Sequence, residues 1–268
     1  MHLPRSPAGP AGRADHQGDA RAHQLPSAHE AAVAAARLHG TLSHLSAAQH
    51  HGWELAKDPD KPWVSVPRNR KVTTTRGVHL VYGDARGTVT SPVQTVLDCA
   101  RRLPFGEALS VADSALRHGV DPQHLSAAAG AARGPGAGRC RRVAREATPL
   151  AANPLESSLR AIVLEVPGLS VKPQVPIQLP GLLVHPDLVD TDLGIVIEAE
   201  GWLFHGVSRE QFSRDLWRYT MLVVRGWLVV RFGYRQVMER PDYVFEALMT
   251  LVQTGRRLPG SIHPRATT

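Results

Sequence analysis

The sequence predicts a mixed α/β (α+β) chain in which a smaller helical and β-containing N-terminal domain precedes a core of order α-β-β-β-α-β-α. Three observations carry this. Apolar residues recur at helical spacing in some stretches, and alternate or run together in others. A stretch rich in Gly, Ala, Pro and Arg at 130–153 separates two such series. Charge divides at the same place. Residues 1–153 hold 19 Lys/Arg against 12 Asp/Glu, a net of +7; residues 154–256 hold 10 against 12, a net of −2. At 268 residues and 43% apolar content, the chain is long enough for two parts.

Residues 1–27 are Pro, Gly, Ala, His and Arg without periodicity and read as disordered. Residues 28–52 are Ala-rich and fit two short helices broken at Gly40. "PWVSVP" and "GVHLVYG" alternate like strands, with the basic loop "RNRKVTTTRG" between them. Thr90 or Ser91 can cap a helix that has Pro92 in its first turn; Val93, Val96, Leu97 and Ala100 continue it. A second helix runs from about Gly106 to His118, and a third starts near Asp121. Residues 130–152, with Arg133, Arg139, Arg141, Arg142 and Arg145, read as a basic linker, or as a helix flanked by one.

The second part, 153–256, opens with Asn153 as cap and Pro154 at the first helical position. Leu155, Leu159, Ile162 and Val163 make its stripe. "VKPQVPIQL" fits an edge strand, because Pro173 and Pro176 bar it from a sheet centre. "GLLVHPDLVD" and "GIVIEAEG" are two further strands joined by "DTD" as a hairpin. A helix follows, with Ser208 and Gln211 as a capping box, Phe212, Leu216 and Tyr219 facing inward, and Gly226 as its stop. "WLVVRFG" is a short buried strand, and a last helix is interrupted at Pro241, before a tail at 257–268.

Composition excludes several classes. Two cysteines, Cys99 and Cys140, make neither a disulfide framework nor a zinc spacing, and a reducing cytoplasm fits them. No apolar run reaches the length of a membrane span, and the N-terminus has no signal-like apolar core. The basic front half suggests an anionic partner, although Arg-rich codon usage explains it equally well.

The strand "GIVIEAEG" holds the chemistry. Alternation puts Val196, Glu198 and Glu200 on one face and Ile195, Ile197 and Ala199 on the other. A hairpin centred near Asp192 sets Asp187 opposite Glu198, on the face of His185. Three carboxylates then converge and repel one another by several kcal/mol, to order of magnitude, at a protein-like dielectric. A proton, a basic side chain or a divalent cation must compensate. Mg²⁺ suits the place: it takes one or two carboxylates and leaves room for phosphate oxygens.

Residues 153–253 resemble the PD-(D/E)xK nuclease superfamily, nearest to bacterial domains related to very-short-patch-repair endonucleases. The likeness rests on Pro186-Asp187, Glu198-Ala199-Glu200-Gly201, His205, Asp215-Leu216-Trp217-Arg218, Gly226-Trp227 and Arg231-Phe232. It implies a restriction-endonuclease-like core and hydrolysis of DNA phosphodiester bonds with Mg²⁺ or Mn²⁺, in DNA repair or in defence against phage and mobile elements. Asp187 and Glu198 would bind the metal and Glu200 assist. His205 would handle a proton or a phosphate, Glu156 would be an auxiliary acid, and Arg218 could face phosphate. Glu200 stands where the superfamily usually has Lys, which leaves the role of that Lys unassigned. Each residue also has a plain reading: Asp187 as a turn residue, Glu200 as a solvated rim residue, Asp215 and Arg218 as an intrahelical ion pair.

Residues 38–117 resemble, less sharply, the AbiE-type antitoxin regions fused to such domains in actinobacteria. The echo lies in "GTLSHLSAAQHHGW" and "TSPVQTVLDCARRLPFGEALSVADSALR". That resemblance implies the alternative of a catalytically inactive DNA-binding or antitoxin-like regulator. Arg68, Arg70, Lys71 and Arg76 form a basic loop that could touch a phosphate backbone, or be a solvated hairpin tip.

Overall fold

In the computed structural model, which describes residues 27–73, 75–201 and 209–255, the first helix opens at a capping box. Ser27 Oγ accepts from the Glu30 N–H at 3.2 Å, and the Glu30 carboxylate accepts from the Ser27 N–H at 2.7 Å. Ser27 is thus the cap of α1 (Ala28–Arg37). The rest of the expected disordered segment, the tail, His205 and Ser208 lie outside the described residues.

After α1 come β1 (Thr41–Leu42), α2 (His44–His50), β2 (Trp63–Pro67) and β3 (His79–Gly83). Gly40 lies in the break between the first two helices, where a Cβ would lie 2.5 Å from Val64 Cγ1 and 2.8 Å from the Ser65 carbonyl. The sheet order is β1-β2-β3. β2 and β3 run parallel, with Trp63 opposite His79. The basic loop is therefore a crossover between the two strands and not a hairpin tip; direct reversal would have needed an antiparallel pair.

Four helices follow: α3 (Pro92–Arg102), α4 (Phe105–Arg117), α5 (Pro122–Ala131) and α6 (Ala137–Glu146). Ser91 caps α3 and Asp121 caps α5, as their sequences suggest. The stretch read as a basic linker contains α6, a packed helix. Ala137, Cys140 and Val143 recur every three residues and are buried among Leu97, Ala100 and Leu116, while Arg141 and Arg145 are exposed and Arg142 lies over the Phe105 ring. Arg139 donates to the carbonyls of Arg101 and Leu103, closing α6 onto α3.

The second half holds α7 (Pro154–Val163), β4 (Lys172–Pro173), β5 (Ile177–Leu179), β6 (Leu182–Val184), β7 (Leu188–Asp190), β8 (Ile195–Glu200), α8 (Arg209–Val224), β9 (Leu228–Gly233), α9 (Tyr234–Glu239) and α10 (Pro241–Gly255). The three expected strands before α8 are five. Prolines divide them: Gln174, at φ 54° between Pro173 and Pro176, turns β4 away from β5, and His185-Pro186-Asp187 parts β6 from β7. One sheet runs β4-β7-β8-β9, with the proline-bearing β4 at its edge; β5 and β6 form a separate hairpin. The whole is a mixed α/β fold with three small open sheets. Among the described residues no helix is long and apolar enough to cross a membrane.

Ile195 and Ile197 of β8 pack on α7 and α10 through Leu159, Val163, Val244 and Leu248. Val196 packs on the other side, with Leu222 of α8. Phe232 is buried in the first of these clusters and Trp227 packs against the second. Helix α8 ends at Gly226, whose φ of 88° only glycine adopts freely. Its inward face is the expected one at Tyr219 and differs at the other two positions. Phe212 and Leu216 are exposed, and the sheet meets Arg218 and Leu222 beside Tyr219. That face is polar because it covers carboxylates, so a search for an apolar stripe misplaces it.

The two halves meet where α4 packs on α7. There Arg160 Nη2 donates to both oxygens of Asp113 at 2.8 Å, with both side chains buried. Asp113 also accepts from the Thr148 N–H, and Arg160 donates to the Glu146 carbonyl.

Candidate functional site

The hairpin register builds the site. Leu188 pairs with Ile197 and Asp190 with Ile195, and one step further sets Asp187 beside Glu198. The Ala199 N–H donates to Asp187 Oδ2 at 2.8 Å. The tight turn is held by Asp190, whose Oδ1 accepts from the N–H groups of Asp192 and Leu193. From the opposite direction α7 brings Glu156, fixed by the Ala152 N–H at 2.7 Å and the Asn153 amide at 2.8 Å.

Glu156, Asp187 and Glu198 feel one another. Burial, then the charges of Glu156 and Glu198, push the Asp187 carboxyl up to about 7. Burial first, and then the Glu198 charge, raise Glu156 as well, against the hydrogen bonds from Ala152 and Asn153 and the charge of Arg117. Glu198 is 4% exposed. Its Oε2 accepts from Arg218 Nη2 at 3.0 Å and from the Tyr219 hydroxyl at 2.7 Å. Glu200 lies nearer the solvent and is bonded to Arg231 at 2.6 Å and to Tyr219 at 2.8 Å. One phenolic proton thus serves two carboxylates. Both guanidinium groups lie over the Tyr219 ring, at 4.5 Å for Arg218 and 3.9 Å for Arg231. Burial works against the charge on Arg218, but Glu198, Tyr219 and Asp215 hold its pKa above the usual value. Arg218 and Asp215 also make the expected intrahelical pair, at 3.8 Å.

Basic side chains therefore compensate Glu198 and Glu200, and a proton compensates Asp187 near neutrality. Four carboxyl groups (Glu156, Asp187, Glu198 and Glu200) stand against the two guanidinium groups of Arg218 and Arg231. Full ionisation leaves a surplus of two negative charges, the charge of one divalent cation. Among the described residues no group of three or more His, Cys, Asp or Glu is arranged to hold a metal ion. Two carboxylates are nevertheless the number that Mg²⁺ ordinarily takes from a protein. Asp187 and Glu198 fit that role if the ion displaces Arg218 from Glu198. Arg218 Nε is buried without a hydrogen-bond partner among the described residues, where only the Asp215 charge, at 3.8 Å, comes near it.

Comparisons of the chain with protein-family models, with curated proteins and with solved structures found no match.

Of the sequence-predicted residues, Glu156, Asp187, Glu198, Glu200 and Arg218 come together; His205 lies outside the described residues. Arg68, Arg70 and Lys71 lie on the β2–β3 crossover, exposed, with Arg68 near Asp84 at 3.6 Å and Arg70 donating to the His39 carbonyl. Sequence reasoning missed Tyr219 and Arg231 as site residues. Tyr219 reads as an apolar anchor, and Arg231 reaches the acids only through the parallel β8–β9 pairing, which sets it opposite Glu198.

The raised Asp187 carboxyl has a stability consequence. Its folded-state value of about 7 exceeds the unfolded value near 3.9. Stability from this proton is fully present below about pH 4 and is lost as pH rises through about 7. Asp187→Asn should therefore stabilise the metal-free protein by about 1–3 kcal/mol near pH 8 and by much less near pH 4. Urea unfolding of both proteins in EDTA at the two pH values checks this; an equal effect at both would refute it.

Proposed function

We propose that the chain is a Mg²⁺- or Mn²⁺-dependent endonuclease-like phosphodiesterase acting on DNA, with Asp187 and Glu198 holding the ion. The observation that carries this reading is the mutual charge coupling of Glu156, Asp187 and Glu198, brought from a helix and two strands to one place. Such clusters, with a carboxyl poised near neutral pH, concentrate at functional sites. The helix, the β4-β7-β8-β9 sheet and the helices around it also support a restriction-endonuclease-like core. A bound Mg²⁺ would supply Lewis-acid polarisation of a phosphodiester.

The chain's own residues do the rest. Glu156 and Asp187 can exchange a proton at the rim of the sheet. Arg218, once released from Glu198, carries its charge toward a phosphate. Tyr219 keeps Glu198 and Glu200 oriented. His205 is the proposed proton or phosphate handler. Since the second half carries a net −2, the basic front half, including Arg68, Arg70 and Lys71, is the proposed source of DNA affinity.

A second reading is favoured by one observation. Arg218, Arg231 and Tyr219 close on Glu198 and Glu200 completely enough to hold them without any cation. On that reading the chain is a DNA-binding regulator that keeps the fold without the chemistry. Incubation of single-stranded, double-stranded and mismatched DNA with wild type and Asp187→Ala, in Mg²⁺ or Mn²⁺, separates the two. Metal-dependent cutting lost in the variant supports the nuclease. No cutting by either, with DNA binding kept by both, supports the regulator.

A further inference from the structure

An arginine-lined cavity lies in the N-terminal half, away from the carboxylates. It measures about 890 Å³ and is walled by the β2–β3 sheet, one face of α3 from its cap Ser91 to its last residue Arg102, and the turn between α5 and α6. Five arginines line it: Arg68, Arg86, Arg101, Arg102 and Arg133. Against them stand only two acids, Asp84 and Asp98.

The arginines divide by what they do. Arg101 donates to the carbonyls of Pro135 and Arg133, at 2.5 and 3.2 Å, and Arg133 donates to those of Gly130 and Ala132. These bonds fix the wall. Arg86 and Arg102, both exposed, form no hydrogen bond or ion pair with the described residues, although the charge of Arg102 acts on Asp98.

His44 and Ser65 also line the cavity, 2% and 5% exposed. The His44 ring stacks on Trp63 at 4.6 Å, and its Nδ1 is 3.0 Å from Ser43 Oγ. Its Nε2 has no hydrogen-bond partner among the described residues, nor has the Ser65 hydroxyl. Burial, then the positive charge of Arg102, lowers the His44 pKa to about 3, so the ring offers a neutral polar edge. His44 is held at φ 50°, a conformation that non-glycine residues enter at a cost and that recurs at ligand sites. Tyr82, on β3, is 46% exposed and presents an aromatic ring to the cavity.

We propose that this cavity binds a phosphorylated small molecule of nucleotide size, its phosphates between Arg86 and Arg102 and its base against Tyr82. The volume falls in the range of about 300–1,000 Å³ typical of small-ligand sites. Arginine forks match phosphate oxygens in geometry and charge. Asp84 and Asp98 would repel a continuous phosphodiester chain, but they suit the sugar hydroxyls and base amino groups of a single nucleotide. This site does not depend on the reading of the carboxylate cluster.

Calorimetric titration of the full chain with ATP and GTP, in EDTA, tests the proposal, with adenosine and inorganic phosphate as partial probes. Wild type should bind a nucleotide. Arg86→Ala and Arg102→Ala should each weaken it roughly tenfold, as expected for loss of a charged hydrogen bond. Tyr82→Ala should weaken ATP or GTP and leave inorganic phosphate unaffected. Arg70→Ala, outside the cavity, and Asp187→Asn, in the acidic site, should bind as wild type does. The proposal falls if neither nucleotide binds at millimolar concentration, or if Arg86→Ala and Arg102→Ala bind unchanged. It also falls if those variants weaken a DNA duplex that neither nucleotide displaces; the surface would then read a strand.

Discussion

Replacing Asp113 with alanine should cost the folded protein about 3–5 kcal/mol, the usual effect of leaving one charge of a buried pair alone. Asp113 and Arg160 are both buried where α4 meets α7; Arg160 also holds the Glu146 carbonyl of the first half, and Asp113 holds the Thr148 N–H of its own half. Burial raises the Asp113 carboxyl, and the guanidinium of Arg160 opposes that rise. Removing the carboxylate strands a guanidinium whose Nε already lacks a partner, and it frees the Thr148 N–H. Arg160→Met should be comparably damaging for the converse reason. The double variant Asp113→Leu with Arg160→Met should cost less than the two single changes together, since neither charge is then orphaned. Urea unfolding of the four proteins measures this. Single variants costing under about 1 kcal/mol would show that the junction is solvated and the halves only loosely joined.

If the proposed nuclease reading holds, cleavage should fall by more than about 100-fold in Asp187→Ala and in Glu198→Gln, since even a residue behind a metal ligand is typically worth about 10–100-fold. The two variants differ in what else they change. Asp187→Ala removes a carboxyl whose ionised form is strained, and it leaves the Arg218 pairing untouched. Glu198→Gln keeps the size of the side chain but frees Arg218 and Tyr219. Glu198→Gln should therefore lose stability as well as activity, while Asp187→Ala should lose activity alone. Rate measurements beside unfolding curves separate the effects. If Glu198→Gln cut DNA at the wild-type rate, Glu198 would be only the structural partner of Arg218.

The acids were legible in the sequence because two short-range rules place them. Alternation along β8 puts Glu198 and Glu200 on one face, and the Asp190 turn fixes which residue lies opposite Glu198. Caps at Ser91, Asp121 and Asn153 are equally local and equally readable. What was not legible depends on distant partners. Arg231 joins the cluster only because β9 pairs parallel with β8, and the β2–β3 pair is parallel although the loop between them is short. Helix α6 escaped because its composition is that of a solvated linker, and only the spacing of Ala137, Cys140 and Val143 betrays its buried side. The face of α8 was misjudged at Phe212 and Leu216 because it packs in part against charge, and Arg218 carries no apolar signal.

The central claim is that Asp187 and Glu198 hold a divalent cation in competition with Arg218. Calorimetric titration of wild type, Asp187→Asn and Glu198→Gln with Mn²⁺ tests it most directly, at about pH 7, where the Asp187 proton is half bound. The account predicts one ion per chain in wild type, with protons released on binding, and much weaker binding in both variants. Absence of binding in wild type, or equal binding in all three proteins, would contradict it.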